Sequence, residues 1–131
     1  MFGLDTNVLL RYLTQDDTAQ SKRATAILET QISKEKPGFI SSIVLVETCW
    51  TLRRYYKVET EGIETMLDRF LVAPSIQFEH REETWKALRH SRVGSIDFVD
   101  ALVGLIGESH GCEYTLTFDK KASKNPFFKV A

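Results

Sequence analysis

At 131 residues the chain has room for one ordinary domain and not for two with independent cores, so a single compact domain over residues 1–131 is expected. Its 43% hydrophobic and 27% charged residues exclude an extensively disordered polypeptide. Seventeen basic and eighteen acidic residues leave a net charge of −1, which excludes a protein that holds polyanions by bulk charge, so any nucleic-acid binding has to come from local patches.

Met1 to Leu4 is a short apolar run ending at Asp5-Thr6-Asn7, and Val8, Leu9, Tyr12 and Leu13 then recur at helical spacing. This predicts a buried strand followed at once by a helix. Asp16, Asp17 and Thr18 offer N-caps for a helix to about Ile32, with Ala24, Ile27 and Leu28 on its inner face, before Pro37-Gly38 breaks the chain. Gly38 to Ser41 reads as a second strand. Ser42 is placed to cap the next helix, in which Glu47 interrupts the apolar series Val46, Cys49, Trp50 and Leu52, and Arg53, Arg54 and Lys57 suit the C-terminal dipole. Thr60 opens an amphipathic helix stopped by Pro74, and Ser75 to Phe78 alternates like a strand. A helix follows from about Arg81 to His90. Ser95 is placed to cap another from Ile96 to about Ser109, ended by Gly111, and Cys112 to Thr117 reads as the fourth strand. A basic segment, Lys120 to Lys124, leads to a last strand over Phe127 to Val130.

Short strands alternating with helices predict an α/β fold, a three-layer α/β/α sandwich with a short parallel central sheet. In such sheets ligands bind beyond the carboxyl ends of the strands. Asp5 ends the first strand and Asp119 follows the fourth, so the fold class sends both to one rim. Glu47 and Asp100 come from helices whose neighbours are otherwise apolar, where an ionised carboxylate is costly unless something positive meets it. Gathered carboxylates raise one another's pKa, and a divalent cation reverses that effect. All-oxygen donors suit Mg²⁺ or Mn²⁺ rather than Zn²⁺. Such a cation supports phosphate chemistry, and the reaction implied is phosphodiester hydrolysis. Thr6, Asn7 and Thr117 stand beside the strand-end acids and are candidates to orient them, while Asp97 shares the helical face of Asp100 as an outer ligand or a first-turn residue. Gly104 and Gly107 leave little bulk on that helix, which would permit close approach of another helix or of a substrate backbone.

Four segments resemble PIN-domain ribonucleases, and among these VapC-type toxins of bacterial type II toxin-antitoxin pairs: Leu4-Asp5-Thr6-Asn7-Val8-Leu9-Leu10-Arg11-Tyr12-Leu13, Ser41-Ser42-Ile43-Val44-Leu45-Val46-Glu47, Asp97-Phe98-Val99-Asp100-Ala101-Leu102, and Leu116-Thr117-Phe118-Asp119-Lys120-Lys121. The resemblance spans nearly the whole chain in order. It implies a parallel α/β/α sandwich and Mg²⁺- or Mn²⁺-dependent endoribonuclease activity on structured RNA such as tRNA or rRNA. It also implies a homodimer, and inhibition by a VapB-like antitoxin. The family's four acids are matched by Asp5, Glu47, Asp100 and Asp119, the first and third most often credited with the metal.

Three of the four acids have a named ordinary alternative: Asp5 as a turn residue, Glu47 as a solvated helix residue, Asp119 as an N-cap. An aspartate-nucleophile phosphatase and a non-catalytic module with an acidic rim are the competing functions. The first is disfavoured because Asp5-Thr6-Asn7 lacks a second Asp two residues on. Arg11, Arg53, Arg54, Lys57, Lys120, Lys121 and Lys124 are the basic residues nearest the expected rim, and Tyr12, Tyr55 and Tyr56 the aromatic ones. His80, His90 and His110 lack metal-ligand spacing. Cys49 and Cys112 form no C-x-x-C pair and suit a reducing, cytoplasmic compartment, and no run of 18 apolar residues predicts a membrane span.

Overall fold

The computed structural model describes residues 1–94 and 96–131, which divide into two compact units, Met1–Glu79 and His80–Ala131. The first contains β1 (Phe2–Gly3), α1 (Thr6–Thr14), α2 (Thr18–Ala26), β2 (Gly38–Ile40), α3 (Ser42–Arg54), α4 (Thr60–Val72) and β3 (Ile76–Phe78). Its strands form a parallel sheet in the order β1-β2-β3, with Phe2 opposite Gly38 and Ile40 opposite Phe78. The second contains α5 (Arg81–Val93), α6 (Phe98–Ser109), β4 (Thr115–Thr117) and β5 (Phe128–Val130), the two strands parallel with Thr115 opposite Phe128. The α/β class and the parallel pairing are those expected; the strands are paired in two ladders, one within each unit.

Parallel strands of two or three residues carry little hydrogen bonding of their own, so the core of the first unit is built by helices laid on them. In α4, Ile63, Met66, Leu67, Phe70 and Leu71 recur at helical spacing and are all buried, each worth about 1.5–3 kcal/mol relative to exposure. Leu9 of α1, Ile40 of β2 and Leu45 of α3 are fully or almost fully buried. Among the described residues, no helix is long and apolar enough to cross a membrane.

Element ends differ from the sequence reading for identifiable reasons. The helix expected to reach Ile32 is α-helical only to Ala26 and continues as a π-helical turn over Ile27–Gln31, where the Thr30 hydroxyl donates to the Ala26 carbonyl at 2.6 Å. Ser41, not Ser42, caps α3, accepting from the Val44 N–H at 3.2 Å. The helix expected from Ile96 starts at Phe98 with Asp97 as its cap, and the cap assigned to Ser95 lies outside the described residues. The fourth strand begins at Thr115 rather than Cys112. Of the two cysteines, Cys49 is buried and Cys112 exposed.

Gly104 faces β5 and not a substrate. A Cβ there would stand 2.7 Å from the Phe127 Cβ and 3.0 Å from the Phe128 ring. The contact atom at Phe127 is fixed to its backbone and cannot swing away. Gly104→Ala is therefore expected to lower the melting temperature: overpacking costs about 1–3 kcal/mol against the roughly 1 kcal/mol gained by removing glycine from a helix. An unchanged or higher melting temperature by calorimetry would show that β5 yields.

Candidate functional site

The acids of the first unit are set by a strand-to-helix turn. Leu4 is buried below β1, and Asp5 takes extended backbone angles, its Oδ1 accepting from the Thr6 N–H at 2.8 Å while its carbonyl accepts from Val8 and Leu9. Asp5 itself is exposed. The next residue, Thr6, is 6% exposed, and its hydroxyl donates to Glu47 Oε1 on α3. Asp5 and Glu47, distant in the chain, are thus joined through Thr6.

Glu47 corrects the sequence reading in one respect. It does not lie among inward-facing residues: the inward face of α3 is Leu45, Thr48, Cys49 and Leu52. Glu47 is exposed, beside Ile43 at 81% and Trp50 at 55% exposure, with the Arg54 guanidinium 5.3 Å from the Trp50 ring.

In the second unit Asp97 is the N-cap of α6, its Oδ2 accepting from the Val99 N–H at 3.0 Å. Asp100 lies one turn on, half-buried, and its pKa is raised above the usual carboxylate value, first by burial and then by the negative charges of Asp97 and Asp119. Asp119 is held in the turn after β4. Its N–H donates to the Thr117 hydroxyl at 3.0 Å, and its Oδ1 accepts from Lys121 and Ala122 at 2.9 and 3.2 Å, opening the short 3₁₀ turn Ala122–Lys124. The residue at the N-cap position of that turn is Lys121, not Asp119. Loss of the cap in Asp97→Ala should cost about 1 kcal/mol of stability, whereas Asp97→Asn should melt with the wild type. A fall in activity in the Asn variant at unchanged melting temperature would give Asp97 a role beyond capping.

Two acids in the first unit are therefore linked by Thr6, and in the second Asp100 feels the charges of Asp97 and Asp119. The donor chemistry fits a hard divalent cation, because carboxylate oxygens are its preferred ligands and the repulsion on Asp100 is what such a charge relieves. Among the described residues, no group of three or more His, Cys, Asp or Glu side chains is arranged to hold a metal ion.

The remaining candidates sort by contact. The Tyr12 hydroxyl donates to Glu29 at 3.1 Å, and burial followed by that bond raises its pKa. The Tyr56 hydroxyl donates to Asp16 at 2.5 Å, so of the three tyrosines only Tyr55 is left largely exposed, at 78%. Arg53 donates to the Thr60 hydroxyl at 2.6 Å. His80 stands 3.4 Å from Glu83, and the His90 ring packs edge-on to Phe127 at 4.8 Å. Lys57, Lys120, Lys121 and Lys124 are exposed. Gln20 and Arg23, which carry no motif and were not singled out by sequence, share a groove with Asn7.

A family model described as PIN domain matches residues 3–127, a stretch that takes in both units and every acid named above. No curated protein matches the chain.

Proposed function

Because the chain belongs to the PIN domain family, a family of nucleases, we propose that it is an Mg²⁺- or Mn²⁺-dependent endoribonuclease that hydrolyses phosphodiester bonds in structured RNA such as tRNA or rRNA. In this reading residues 1–131 act as one PIN-like domain, the toxin of a VapBC-type pair, working in the cytoplasm as a homodimer and silenced by a VapB-like antitoxin. The observation that carries it is the continuous family match over 3–127, within which the acids occur in the order Asp5, Glu47, Asp100, Asp119.

Asp5, Glu47, Asp100 and Asp119 are assigned as the metal-holding and catalytic carboxylates, with Thr6, Asn7, Asp97 and Thr117 positioning them. The cation, when bound, supplies Lewis-acid stabilisation of the charge that develops on the phosphoryl oxygens. The protein's own residues set the rest. Thr6 fixes the direction of the Glu47 carboxylate through its hydroxyl, and Thr117 fixes the backbone at Asp119. Water adds to phosphorus and the bond to the 3′ oxygen breaks, leaving a 5′-phosphate; the proton lost by the water goes to one of the carboxylates, and the departing 3′ oxygen takes a proton from solvent to become the 3′-hydroxyl.

Incubating the purified chain with tRNA or rRNA and Mn²⁺ or Mg²⁺, then sequencing the new ends, tests the assignment. Discrete cuts bearing 5′-phosphate, abolished by a chelator, are expected. Cutting that persists in chelator, or no cutting with either cation, would sink it.

A further inference from the structure

Helices α1 and α2 of the first unit enclose a groove of about 400 Å³. It is lined by the polar Asn7, Arg11, Gln20 and Arg23 and by apolar residues that include Val8 and Ala24. No acidic residue lines it, in a chain whose net charge is −1. Asn7 places one end of the groove two residues after Asp5, at the start of the helix Asp5 caps.

Arg11 is fixed before any ligand arrives. Its Nε donates to Gln20 Oε1 at 2.8 Å and its Nη1 meets Asp16 at 3.2 Å. That arrangement commits the oxygen of the Gln20 amide to Arg11, so the NH₂ end is the part of the side chain left to donate elsewhere. Arg23, across the groove on α2, is exposed and has no ion pair among the described residues. Two kinds of group, the guanidiniums of Arg11 and Arg23 and the side-chain amides of Gln20 and Asn7, thus offer donors to one space. Guanidinium and amide donors beside the apolar Val8 and Ala24 match phosphate oxygens and the sugar edge.

Two guanidiniums and no carboxylate among the lining residues complement a polyanion, and the nearness of Asn7 to Asp5 favours the RNA strand on which that acid would act. We propose that this groove binds the sugar-phosphate backbone of RNA beside the scissile bond, with Arg23 as the main substrate-positioning residue and Arg11, pre-set by Gln20 and Asp16, as its partner. The inference rests on the ribonuclease reading above and adds to it the path of the substrate over the first unit.

The test separates binding from cleavage. Fluorescence anisotropy with a labelled RNA oligonucleotide in chelator, across a salt series, reads binding alone; kcat and KM in Mn²⁺ read turnover. Arg23→Ala should weaken binding about 3- to 10-fold at moderate salt and raise KM by the same factor with kcat unchanged. It should also reduce the slope of log affinity against log salt by about 0.7, the signature of one lost phosphate contact on a single strand. Arg23→Glu should bind more weakly still, and Arg23→Lys should retain most of the wild-type affinity. A merely structural role would not move the salt slope. Wild-type affinity and slope in Arg23→Ala would overturn the proposal and leave the groove to an acidic protein partner. If the wild type bound RNA with the expected Arg23 dependence and never cut it, the nuclease reading would fail and the groove would stand.

Discussion

Asp100→Asn should abolish cleavage and at the same time make the protein harder to melt. The amide removes a charged oxygen ligand and proton acceptor, losses that in comparable acid-base systems cost about 10²- to 10⁴-fold in rate. The stability effect runs the other way. Burial and the charges of Asp97 and Asp119 make the folded chain hold the Asp100 proton more tightly than the unfolded chain does. Folding has that advantage in full below the ordinary carboxylate range and loses it as pH rises through the raised pKa. At neutral pH the wild type has lost it and the Asn variant has nothing to lose. A gain of about 1–3 °C in melting temperature at pH 7 is expected, tempered by the solvent around a half-buried group, and it should shrink towards zero in acid. Mn²⁺ should then raise the melting temperature of the wild type more than that of the variant, since a ligand that binds only the folded state stabilises it by mass action. Calorimetry over a pH series, with and without Mn²⁺, checks each part. A variant that cuts RNA at the wild-type rate would remove Asp100 from the chemistry.

The second large effect is expected at a residue with no charge. Thr6→Val keeps the shape of a buried side chain and deletes the hydroxyl that donates to Glu47. Glu47 is exposed, so water can take up the lost bond and the fold should change by no more than about 1 kcal/mol. What is lost is direction. Groups that orient metal-binding carboxylates typically matter by about 10- to 100-fold in metal affinity or activity, and that fall is expected here, with Thr6→Ser recovering most of it. The check is a Mn²⁺ titration of activity alongside a melting curve. Undiminished activity in Thr6→Val would mean that the orientation of Glu47 is irrelevant to catalysis.

Much of this was legible from residue order because local chemistry decides it. Asp5-Thr6-Asn7 after an apolar run marks a strand turning into a helix, and Pro74 after an amphipathic series marks a helix end. The cap of α3 was misplaced by one residue because Ser41 and Ser42 are chemically the same and only the backbone angles choose between them. Glu47 was read into an apolar setting because α3 is apolar on more than one side: Ile43 and Trp50 are exposed while Leu45 and Leu52 are buried, so composition alone cannot phase the helix. Gly104 signalled close approach, but its partners, Phe127 and Phe128, lie at the start of a strand that sequence does not pair with it. Arg23 and Gln20 look like any solvated helix residues until α1 is laid beside α2.

The turn between α1 and α2 has a different future in acid from Asp100. Asp16 accepts from the Tyr56 hydroxyl, the Thr14 hydroxyl and the Arg11 guanidinium, and these bonds, that of Tyr56 foremost, hold its pKa below the usual value. Such a brace is present above the ordinary carboxylate range and gives way only as pH falls through the lowered pKa. Between Asp100 and Asp16 the order of proton uptake is accordingly written into the architecture: on acidification Asp100 is neutralised while Asp16 still pins the end of α3 to the loop ahead of α2.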